Sequence, residues 1–513
     1  MHRAAFLLLC LLLLALPGRV GAEVRTLGGV HVDGYLRARF LGFHNLDLDN
    51  GGYSGVFSPL VQQPVNGGLG SVADFGSAFS TRFRLRVLAD AAEGFRVVAT
   101  IDVVDDTLFG SAAAYPGADQ GVAFVADGAE RPERQWFRVK EVYGLFAPLK
   151  NLEIYAGRRA WRWGTGMAHN DGTDLDADHG SYVDGLGGLV RLFDYEGGFS
   201  WDFAWEGPVS GTRYDLSGQP HSLENLDDVG QWRLWVRNTL PTFEWGFLNV
   251  FREQKYSSEQ ARWEAFGSAY CKVSGSDTLG LAWDCYALTP RKYFLWSPDV
   301  YAIWKPNDMF SLSFEAALAY GHVNHARNSV VNDVYQRILS AGAFLKATFD
   351  YRDWHAAFES ALATGGDGFP RAFGPGYDPV GDGSVTAATW NGVANQHHFF
   401  FARDHRVDLI LFREIIGTFT NAFLLALPAS YDVLSFDTHR VRAGLRPVLS
   451  FAFDDWKPLG FEADAFVEYE PLPAFRLRLD GGYLAPLGAL DNPYRNLDAG
   501  GAFTVQARAW WIF

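Results

Sequence analysis

Beyond its first two dozen positions, the 513-residue sequence has no unbroken apolar stretch of about 18 residues or more. This absence argues against a transmembrane helix in the rest of the chain. Only three cysteines and eight lysines are present, so 36 of the 44 basic residues are arginines. Acidic residues number 59, and the net charge of −15 argues against a nucleic-acid-binding protein. Disorder is excluded, because 48% of the residues are hydrophobic.

The N-terminus has the features of an export signal. An apolar run at 6–16 ends at Pro17, and small residues at 20–22 form a site that a signal peptidase recognises. Such a run is too short to cross a bilayer comfortably, so a cleaved signal is favoured over a membrane anchor. We therefore predict a signal peptide at 1–22 and an exported mature chain at 23–513.

The mature chain alternates polar and apolar residues over long stretches. In residues 81–89 the even positions include three arginines and the odd positions are mainly apolar, and residues 461–470 alternate in the same way with acids. Successive side chains of a strand point to opposite faces, so one face contacts an apolar medium and the other a polar one. Runs of about 10 to 14 residues fit tilted strands that cross a bilayer better than the strands of about 5 to 6 residues in soluble sandwiches.

Short and long connections also alternate. Turns such as 91–94, 148–151 and 241–242 are interleaved with long polar stretches such as 105–134 and 365–405. This pattern is typical of outer-membrane barrels. We therefore predict an all-β fold, a single large transmembrane antiparallel β-barrel of about 18–20 strands, with 16 as the lower alternative. Its short turns are periplasmic and its long loops extracellular, in the outer membrane of a Gram-negative bacterium.

Three details of the strand prediction are specific. The upper count includes barrel strands near 263–273 and 279–288, and it places a turn at Gly197 and Gly198. The segment 407–416 is compatible with either a strand or a short helix within a loop. A single-chain barrel has an even strand number, and from about 16 strands it encloses a lumen that side chains alone do not fill.

The last strand ends on aromatic residues. Trp511 and Phe513 resemble the assembly signal that the barrel-assembly machinery recognises in outer-membrane barrels. Arg508 stands where that signal has a small residue, so the match is partial. An arbitrary chain end after a buried strand is the alternative.

The alternation assigns many basic side chains to the lumen. Their opposite-parity neighbours are mainly apolar, and a charge facing lipid at the midplane is disfavoured by about 2–4 kcal/mol. Inward acids are fewer than inward bases, so the lumen is predicted to favour anions. As an alternative, the arginines brace the wall through cross-strand ion pairs, for example with Glu468 and Glu470. The predicted basic wall comprises Arg37, Arg39, Arg82, Arg84, Arg86, Arg138, Lys140, Arg440, Arg442, Arg476 and Arg478.

The stretch 163–185 is the densest motif of the chain. It follows the fifth predicted strand, the position at which general porins have an inward loop whose acids face arginines on the wall. We predict such a constriction loop, which would orient anionic or zwitterionic solutes. A calcium loop and a solvated acidic loop are the alternatives, although His179 and Gly185 stand where a calcium loop has Gly and Glu. The candidate residues are Asp171, Asp174, Asp176, Asp178 and Asp184.

Catalysis finds little support in the sequence. The histidines at 397–398 and 405 lie in one long stretch, but outer-membrane enzymes with such residues are built on smaller barrels, so we predict no enzymatic activity. Apart from the calcium alternative, no cofactor is expected. Cys271 and Cys285 lie on two predicted strands of an exported chain, where a disulfide is allowed. The inferred register puts Cys271 nearer residue 281, so both the bonded and the free state stay open.

Two blocks resemble a known family. Residues 157–184 and 406–422 resemble an uncharacterised family of predicted outer-membrane barrels from myxobacteria and related deltaproteobacteria. These blocks are a small part of the chain, and the resemblance implies a location more than an activity. The arginine-lined barrel is also similar in plan to the alginate exporter, whose basic lumen passes a uronate polymer.

The leading functional prediction is a passive, weakly anion-preferring channel or polysaccharide-export porin. The alternative is a non-conducting scaffold or receptor whose lumen is plugged by residues 365–405 or 163–185. The predicted partners are outer-membrane lipid, lipopolysaccharide, the barrel-assembly machinery and small anionic solutes or acidic polysaccharide. Nucleic acid is not expected, and the oligomeric state stays open.

Overall fold

The computed structural model describes residues 29–46, 48, 75–110, 135–204, 229–255, 271–273, 283–285, 292–323, 336–365, 397–436, 438–491 and 498–513. The predicted signal peptide at 1–22 lies outside these residues and stays a prediction. The strands are β1 (Val30–His44), β2 (Phe75–Ala92), β3 (Phe95–Gly110), β4 (Gln135–Leu149), β5 (Leu152–Ala160), β6 (Tyr182–Leu192), β7 (Tyr195–Ala204), β8 (Val229–Thr239), β9 (Phe243–Lys255), β10 (Cys271–Val273), β11 (Trp283–Cys285), β12 (Lys292–Asn307), β13 (Phe310–Val323), β14 (Gln336–Tyr351), β15 (Trp354–Ala363), β16 (Ala422–Ala426), β17 (Ala429–Phe436), β18 (His439–Ala452), β19 (Pro458–Leu472), β20 (Phe475–Pro486) and β21 (Ala502–Ile512).

The main sheet closes into an antiparallel barrel. β1 pairs with β2 on one side and with β21 on the other, from Tyr35 opposite Ile512 to His44 opposite Phe503. Below this pairing, the N–H of Gly34 donates to the carbonyl of Phe513 at 3.0 Å. A closed barrel leaves no strand edge without hydrogen-bond partners, which is the condition for β-structure to cross lipid. The prediction of one large antiparallel barrel is therefore confirmed.

In the described ranges the barrel has 18 strands, within the predicted count. β9 pairs directly with β12, and β16 and β17 are consecutive pieces of one strand, since both lie between β15 and β18. β10 and β11 form a separate two-stranded ribbon. The prediction of barrel strands near 263–273 and 279–288 is therefore wrong, because strand-like alternation does not specify which sheet a strand joins.

The ribbon also corrects the predicted cysteine register. Its backbone places Cys271 directly opposite Cys285, not near residue 281. Opposite residues of an antiparallel pair have Cα atoms about 4.5 to 5.5 Å apart, a spacing that a disulfide can bridge. The bond itself stays a prediction.

Connections of two or three residues lie at one rim of the barrel, and those at the other rim have five residues or more. Such turns are at 93–94, 150–151, 193–194, 240–242, 308–309, 352–353 and 473–474. That this rim is periplasmic stays a prediction. The turn predicted at Gly197 and Gly198 is wrong, because both residues lie within β7. Gly198 is required for packing within the barrel wall, because a Cβ at this position would lie 2.1 Å from the ring of Trp235.

The outer surface of the barrel is apolar and the lumen is polar. On β1, Val32, Leu36 and Phe40 are exposed, whereas Arg37 and Arg39 on the opposite face are buried. The same alternation ends the chain, where Trp511 and Phe513 are among the exposed large apolar residues; their role as an assembly signal stays a prediction. No helix within the described ranges has both the length and the hydropathy to span a bilayer.

Two connections from the long-loop rim fold into the lumen. We call residues 161–181, between β5 and β6, the inner loop, and residues 397–421, which precede β16, the inner segment. The inner segment contains a π-helical turn at Leu411–Ile415, so of the two alternatives left open for 407–416 the helical one is correct.

The largest apolar core lies inside the barrel around the inner segment. Phe401 and Phe412 each contact Phe419 with ring centroids 4.7 Å apart. Apolar wall residues that face the lumen, such as Leu41 of β1 and Leu424 of β16, complete the cluster. Each fully buried large apolar side chain contributes about 1.5–3 kcal/mol. The apolar residues of the inner segment thus hold it in the lumen.

Candidate functional site

Asp178 of the inner loop lies among four arginines. Its Oδ1 is 2.8 Å from Arg37 Nη2, and its Oδ2 is 2.7 Å from Arg39 Nη1. Arg82 Nη2 lies 3.6 Å away and Arg406 Nη2 3.1 Å away. Three of these arginines come from β1 and β2 and the fourth from the inner segment. One carboxylate therefore joins the wall, the inner loop and the inner segment.

Asp176 binds a second set of arginines on the side toward β21. Its carboxylate contacts Arg406, lies 3.1 Å from Arg508 Nη1, and lies 3.4 Å from Arg413 Nη2. We call Asp176 and Asp178, together with the six arginines around them, the charge hub. Its arginines are Arg37, Arg39, Arg82, Arg406, Arg413 and Arg508.

The charge hub keeps both aspartates ionised. Burial alone would raise the pKa of Asp176, but Arg406, Arg508 and Arg413 lower it more, so its pKa lies well below the usual value. Burial would likewise raise the pKa of Asp178, but Arg39 and Arg37 lower it more, so its pKa also lies well below the usual value. Four further acids, Asp102, Asp404, Glu414 and Asp480, also pair with arginines of the charge hub, so six carboxylates face its six guanidinium groups.

Each inner element is also bound to the wall by one buried glutamate. Glu315 of β13 accepts hydrogen bonds from the N–H of Thr165 at 2.5 Å, from its hydroxyl at 2.7 Å, and from the N–H of Ala168 at 3.2 Å. Glu462 of β19 accepts from the backbone N–H groups of residues 409, 410 and 411 at 2.9, 2.7 and 3.1 Å. A hydrogen bond contributes about 0.5–1.5 kcal/mol, so the three bonds at each glutamate together fix the path of the backbone.

The inner loop and the inner segment are bound to each other as well. Asp404 accepts from the N–H of Asp178 at 2.9 Å and from the N–H of His179 at 2.7 Å. The N–H of Ala402 donates to the carbonyl of Met167 at 2.7 Å. The two elements therefore form one packed unit inside the barrel.

The structure places the predicted basic wall in two groups. In the first, Arg37, Arg39 and Arg82 reach the charge hub. Arg84 forms a double hydrogen bond to Asp102 at 2.7 and 2.8 Å, and it also donates to the carbonyl of Gly172 in the inner loop.

The other predicted wall residues on β2 and β4 do not lie at the charge hub. Arg86 is exposed and lies nearer the rim that carries the 93–94 turn. Lys140 Nζ lies 3.9 Å from Asp102, and Arg138 is opposite Asp102 in the strand register.

The second group lies on β18 and β20, and each of its arginines has an acidic partner. Arg440 and Arg476 both pair with Glu470 at 2.6 Å. Arg442 binds Asp432 at 2.5 Å, and Arg478 binds Asp480 at 2.9 Å. These contacts match the bracing role that was the alternative to a solute path.

Only two of the five predicted loop acids face the arginine wall. Asp171 and Asp174 lie 3.9 and 3.8 Å from Arg162 of the same loop. Asp184 belongs to β6 and pairs with Arg158 of β5 at 2.7 Å. Calcium ligation gains no support, because in the described ranges no group of three or more His, Cys, Asp or Glu is arranged to hold a metal ion.

The sequence pattern did not reveal how the inner segment contributes to the site. Arg406, Arg413 and Asp404 lie outside regular strands, so no periodicity assigns them to a face. The parity of β21 did place Arg508 in the lumen, but a pattern along one strand cannot name its partner on a distant loop. The resemblance of residues 406–422 to a family, the possible short helix at 407–416 and the possible plug at 365–405 pointed to this segment, but none of them named its contacts.

A cavity of about 590 Å³ remains between the inner elements and the wall formed by β18–β21. Charged side chains dominate its lining, with seven carboxylates and six guanidinium groups. The carboxylates are those of Asp174, Asp176, Asp404, Asp408, Asp464, Glu468 and Asp480; the guanidinium groups are those of Arg406, Arg413, Arg446, Arg476, Arg478 and Arg508.

The closed barrel and its apolar exterior locate the protein in the outer membrane, since single-chain antiparallel barrels of this kind are outer-membrane structures. No family model and no curated protein sequence matches the chain, so the resemblances to the deltaproteobacterial family and to the alginate exporter stay predictions.

Among solved structures, the chain is similar to a BenF-like porin from Pseudomonas fluorescens Pf-5, with 8% identity over 94% of this chain and 98% of that chain and a TM-score of 0.48. It is also similar to OccK11 (OpdR) of Pseudomonas aeruginosa, with 8% identity, coverage of 94% and 96%, and a TM-score of 0.47. A third similar structure is the outer membrane protein opdK of Pseudomonas aeruginosa, with 10% identity, coverage of 94% and 98%, and a TM-score of 0.47. Similarities at this level do not assign a function to the chain.

Proposed function

We propose that the protein is an outer-membrane channel for the passive diffusion of small hydrophilic solutes, with a weak preference for anions. The inner loop and the inner segment narrow the lumen, and the cavity along β18–β21 is the passage that they leave. A small solute fits this cavity with both inner elements in place. An acidic polysaccharide would require the inner elements to leave the lumen, so we favour small solutes.

The observation that carries this proposal is the position of three arginines in the cavity wall. Arg476, Arg478 and Arg508 line the cavity and lie on the periplasmic halves of their strands. A solute that crosses the barrel along this wall must pass them. Basic side chains that line a pore favour anions.

Recordings from the purified protein in planar bilayers test the proposal. We expect a conductance with an anion-to-cation permeability ratio above one, and we expect Arg476→Gln with Arg478→Gln to lower that ratio. Arg96→Gln is the matched control, because Arg96 is a half-exposed arginine beside a periplasmic turn and pairs with Asp90. Absence of conductance in folded protein would end the channel proposal, and cation preference would end the anion preference.

One observation favours a second candidate, a non-conducting scaffold. The apolar cluster around Phe401, Phe412 and Phe419 fills part of the lumen, and an apolar filling does not conduct ions. This candidate predicts no current from the parent protein and a large current after deletion of residues 400–418. A current in the parent that this deletion merely enlarges would favour the channel.

A further inference from the structure

The attachment of the inner loop to β13 contains a second carboxyl group. Asp299 of β12 lies opposite Ala317 in the strand register, so it is a diagonal neighbour of Glu315, which binds the inner loop. Diagonal neighbours on one face of a sheet are within reach of each other's side chains. The carboxyl groups of Asp299 and Glu315 contact each other, and the two residues are 2% and 0% exposed. We call Asp299 and Glu315 the acid pair.

Asp299 lacks the donors that a buried carboxylate needs. Neither of its oxygens has a hydrogen-bond partner within the described part of the chain, whereas Glu315 accepts from the N–H and the hydroxyl of Thr165 and from the N–H of Ala168. Donors favour the ionised form of a carboxyl group, and burial without donors favours the neutral form. A contact between two carboxyl groups becomes a hydrogen bond only when one of them carries a proton. Glu315 is therefore the carboxylate of the acid pair, and Asp299 holds a proton that it donates to Glu315.

No cation takes the place of this proton among the residues that the structure describes. The side chains that act on Asp299 are those of Glu315 and Trp163, and neither is basic. Lys346 of β14 pairs with Glu359 at 2.9 Å, and Tyr301 of β12 donates to Glu244 of β9 at 2.6 Å. The neighbouring elements also carry Arg237 of β8, Arg252 of β9, Arg162 and His169 of the inner loop, and His405 of the inner segment.

Loss of the proton would leave two negative charges side by side in a buried site. Two carboxyl groups that share such a site repel each other when both are ionised, so they hold one proton between them. Release of residues 165–168 from Glu315 admits water, and a hydrated carboxyl group titrates near pH 4. The open form then binds one proton fewer than the attached form at neutral pH. The open fraction therefore rises with pH, by up to about tenfold per pH unit.

The chain permits this segment to move without the rest of the inner loop. Gly164 and Gly172 lie on either side of it with φ of 49° and 64°, in the left-handed region that glycine adopts most readily. Beyond Gly172, Asp176 and Asp178 are bound at the charge hub and are ionised already. A rise in pH thus acts on one end of the inner loop and not on the other.

We propose that the acid pair is a one-proton switch that controls the attachment of the inner loop. With the proton in place, residues 165–168 are bound to β13. When the proton passes to water as the pH rises, this segment leaves the wall and the lumen widens along β12 and β13. The effect on the passage of solutes rests on the proposed channel, whereas the movement of the segment does not.

Maleimide labelling of Met167→Cys measures the open fraction, because the side chain of Met167 is fully buried and its N–H lies 3.4 Å from Glu315. The background is Cys271→Ser with Cys285→Ser, and the rate is corrected for the ionisation of the thiol. We expect the corrected rate to rise at least about tenfold from pH 6 to 8, against a limit of about one hundredfold for one proton. Ala177→Cys in the same background is the matched control, and its rate should be constant. A rate at Met167→Cys as constant as that of the control would overturn the proposal.

Substitutions at the acid pair assign the proton. Asp299→Asn replaces the protonated carboxyl group by an amide that donates to Glu315 at every pH, so the attachment should persist and its pH dependence should disappear. Asp299→Glu keeps an ionisable group and should retain a dependence, and His169→Gln, which removes the histidine next to the segment, should leave it as in the parent. Heat-modified mobility in gels verifies that each variant is folded. An unchanged dependence in folded Asp299→Asn, or its loss in His169→Gln, would refute the assignment.

Current recordings separate this proposal from the channel itself. If the parent conducts, its conductance should rise over the same pH range, and Asp299→Asn should remove that rise. A conductance that ignores pH while the labelling rate rises would overturn the widening of the lumen. If the parent does not conduct, the channel proposal fails, and the labelling rates still decide the switch: a rising rate supports it and a constant rate overturns it.

Discussion

Replacement of Asp178 by asparagine should release the inner loop from the barrel wall. Asp178→Asn keeps the size of the side chain but removes the charge that lies 2.8 Å from Arg37, 2.7 Å from Arg39 and 3.1 Å from Arg406. The new amide also turns N–H donors toward groups that can only donate. Removal of one partner from a buried ion pair costs about 3–5 kcal/mol. The side chain of Asp178 is 16% exposed, so little of this cost is recovered by solvation.

The cost translates into a measurable population of the undocked loop. At about 1.4 kcal/mol per factor of ten, the undocked fraction should rise about 150- to 4,000-fold. Ala177→Cys reports on it, because Ala177 is buried and its carbonyl accepts from Arg37 and Arg82. In a background of Cys271→Ser and Cys285→Ser, a maleimide should label this cysteine faster by the same factor, and current recordings should show new high-conductance states.

A matched control separates the loss of this contact from a general effect of charge. Asp455→Asn removes a carboxylate from an exposed connection, and exposed substitutions change stability by less than about 0.5 kcal/mol, or about twofold in population. The reasoning would be refuted if Asp178→Asn, with the barrel folded, changed neither the labelling rate nor the conductance by more than this control.

Three further predictions concern pH, the ribbon and the lipid-facing surface. The arginines hold the pKa values of Asp176 and Asp178 below those of unfolded aspartate, so their stabilising effect is complete above about pH 5 and is lost only as the pH falls through the lowered values. The labelling rate at Ala177→Cys, after correction for the ionisation of the thiol, should therefore be constant from pH 5 to 8. A steep change of the corrected rate in that range would contradict the lowered pKa values of the two aspartates. Intact mass under non-reducing conditions should be two hydrogen masses below the reduced value if Cys271 and Cys285 are bonded, as their opposite positions favour, and equal masses would exclude the bond. Leu445→Arg on the exposed face of β18 should lower the free energy of unfolding in vesicles by about 2–4 kcal/mol, whereas Leu445→Phe should change it little, and equal effects would show that this face does not contact lipid.

The faces of the strands could be predicted from the sequence, because the side-chain period of a strand is two and a slip of one residue would exchange lipid and lumen. Arg37 and Arg508, for example, are buried in the lumen as their parity indicates. The closed barrel was predicted from the length of the alternating runs and the pattern of short and long connections, and the even strand number from the rule for single-chain barrels. This part of the fold needs no knowledge of distant contacts.

What could not be predicted depends on contacts between distant parts of the chain. The alternation of β10 and β11 is compatible with a barrel strand and with an isolated ribbon, since both have one apolar and one polar face. The glycines at 197 and 198 look like a turn, although Gly198 accommodates Trp235. The meeting of Arg406 with Asp176 joins residues 230 positions apart in an irregular segment, and no local pattern encodes it.

The charge hub also lies across the seam where the first strand meets the last. Arg37 and Arg39 belong to β1, Arg508 belongs to β21, and the indole of Trp510 on β21 donates to the carbonyl of Leu175 in the inner loop. The inner loop therefore connects β1 and β21 at the position where the barrel closes. Pairing of β1 with β21 has the largest sequence separation in the barrel, and closing a long stretch of chain costs more entropy than closing a short one. A loop that contacts both strands offsets part of that cost and opposes lateral opening of the wall.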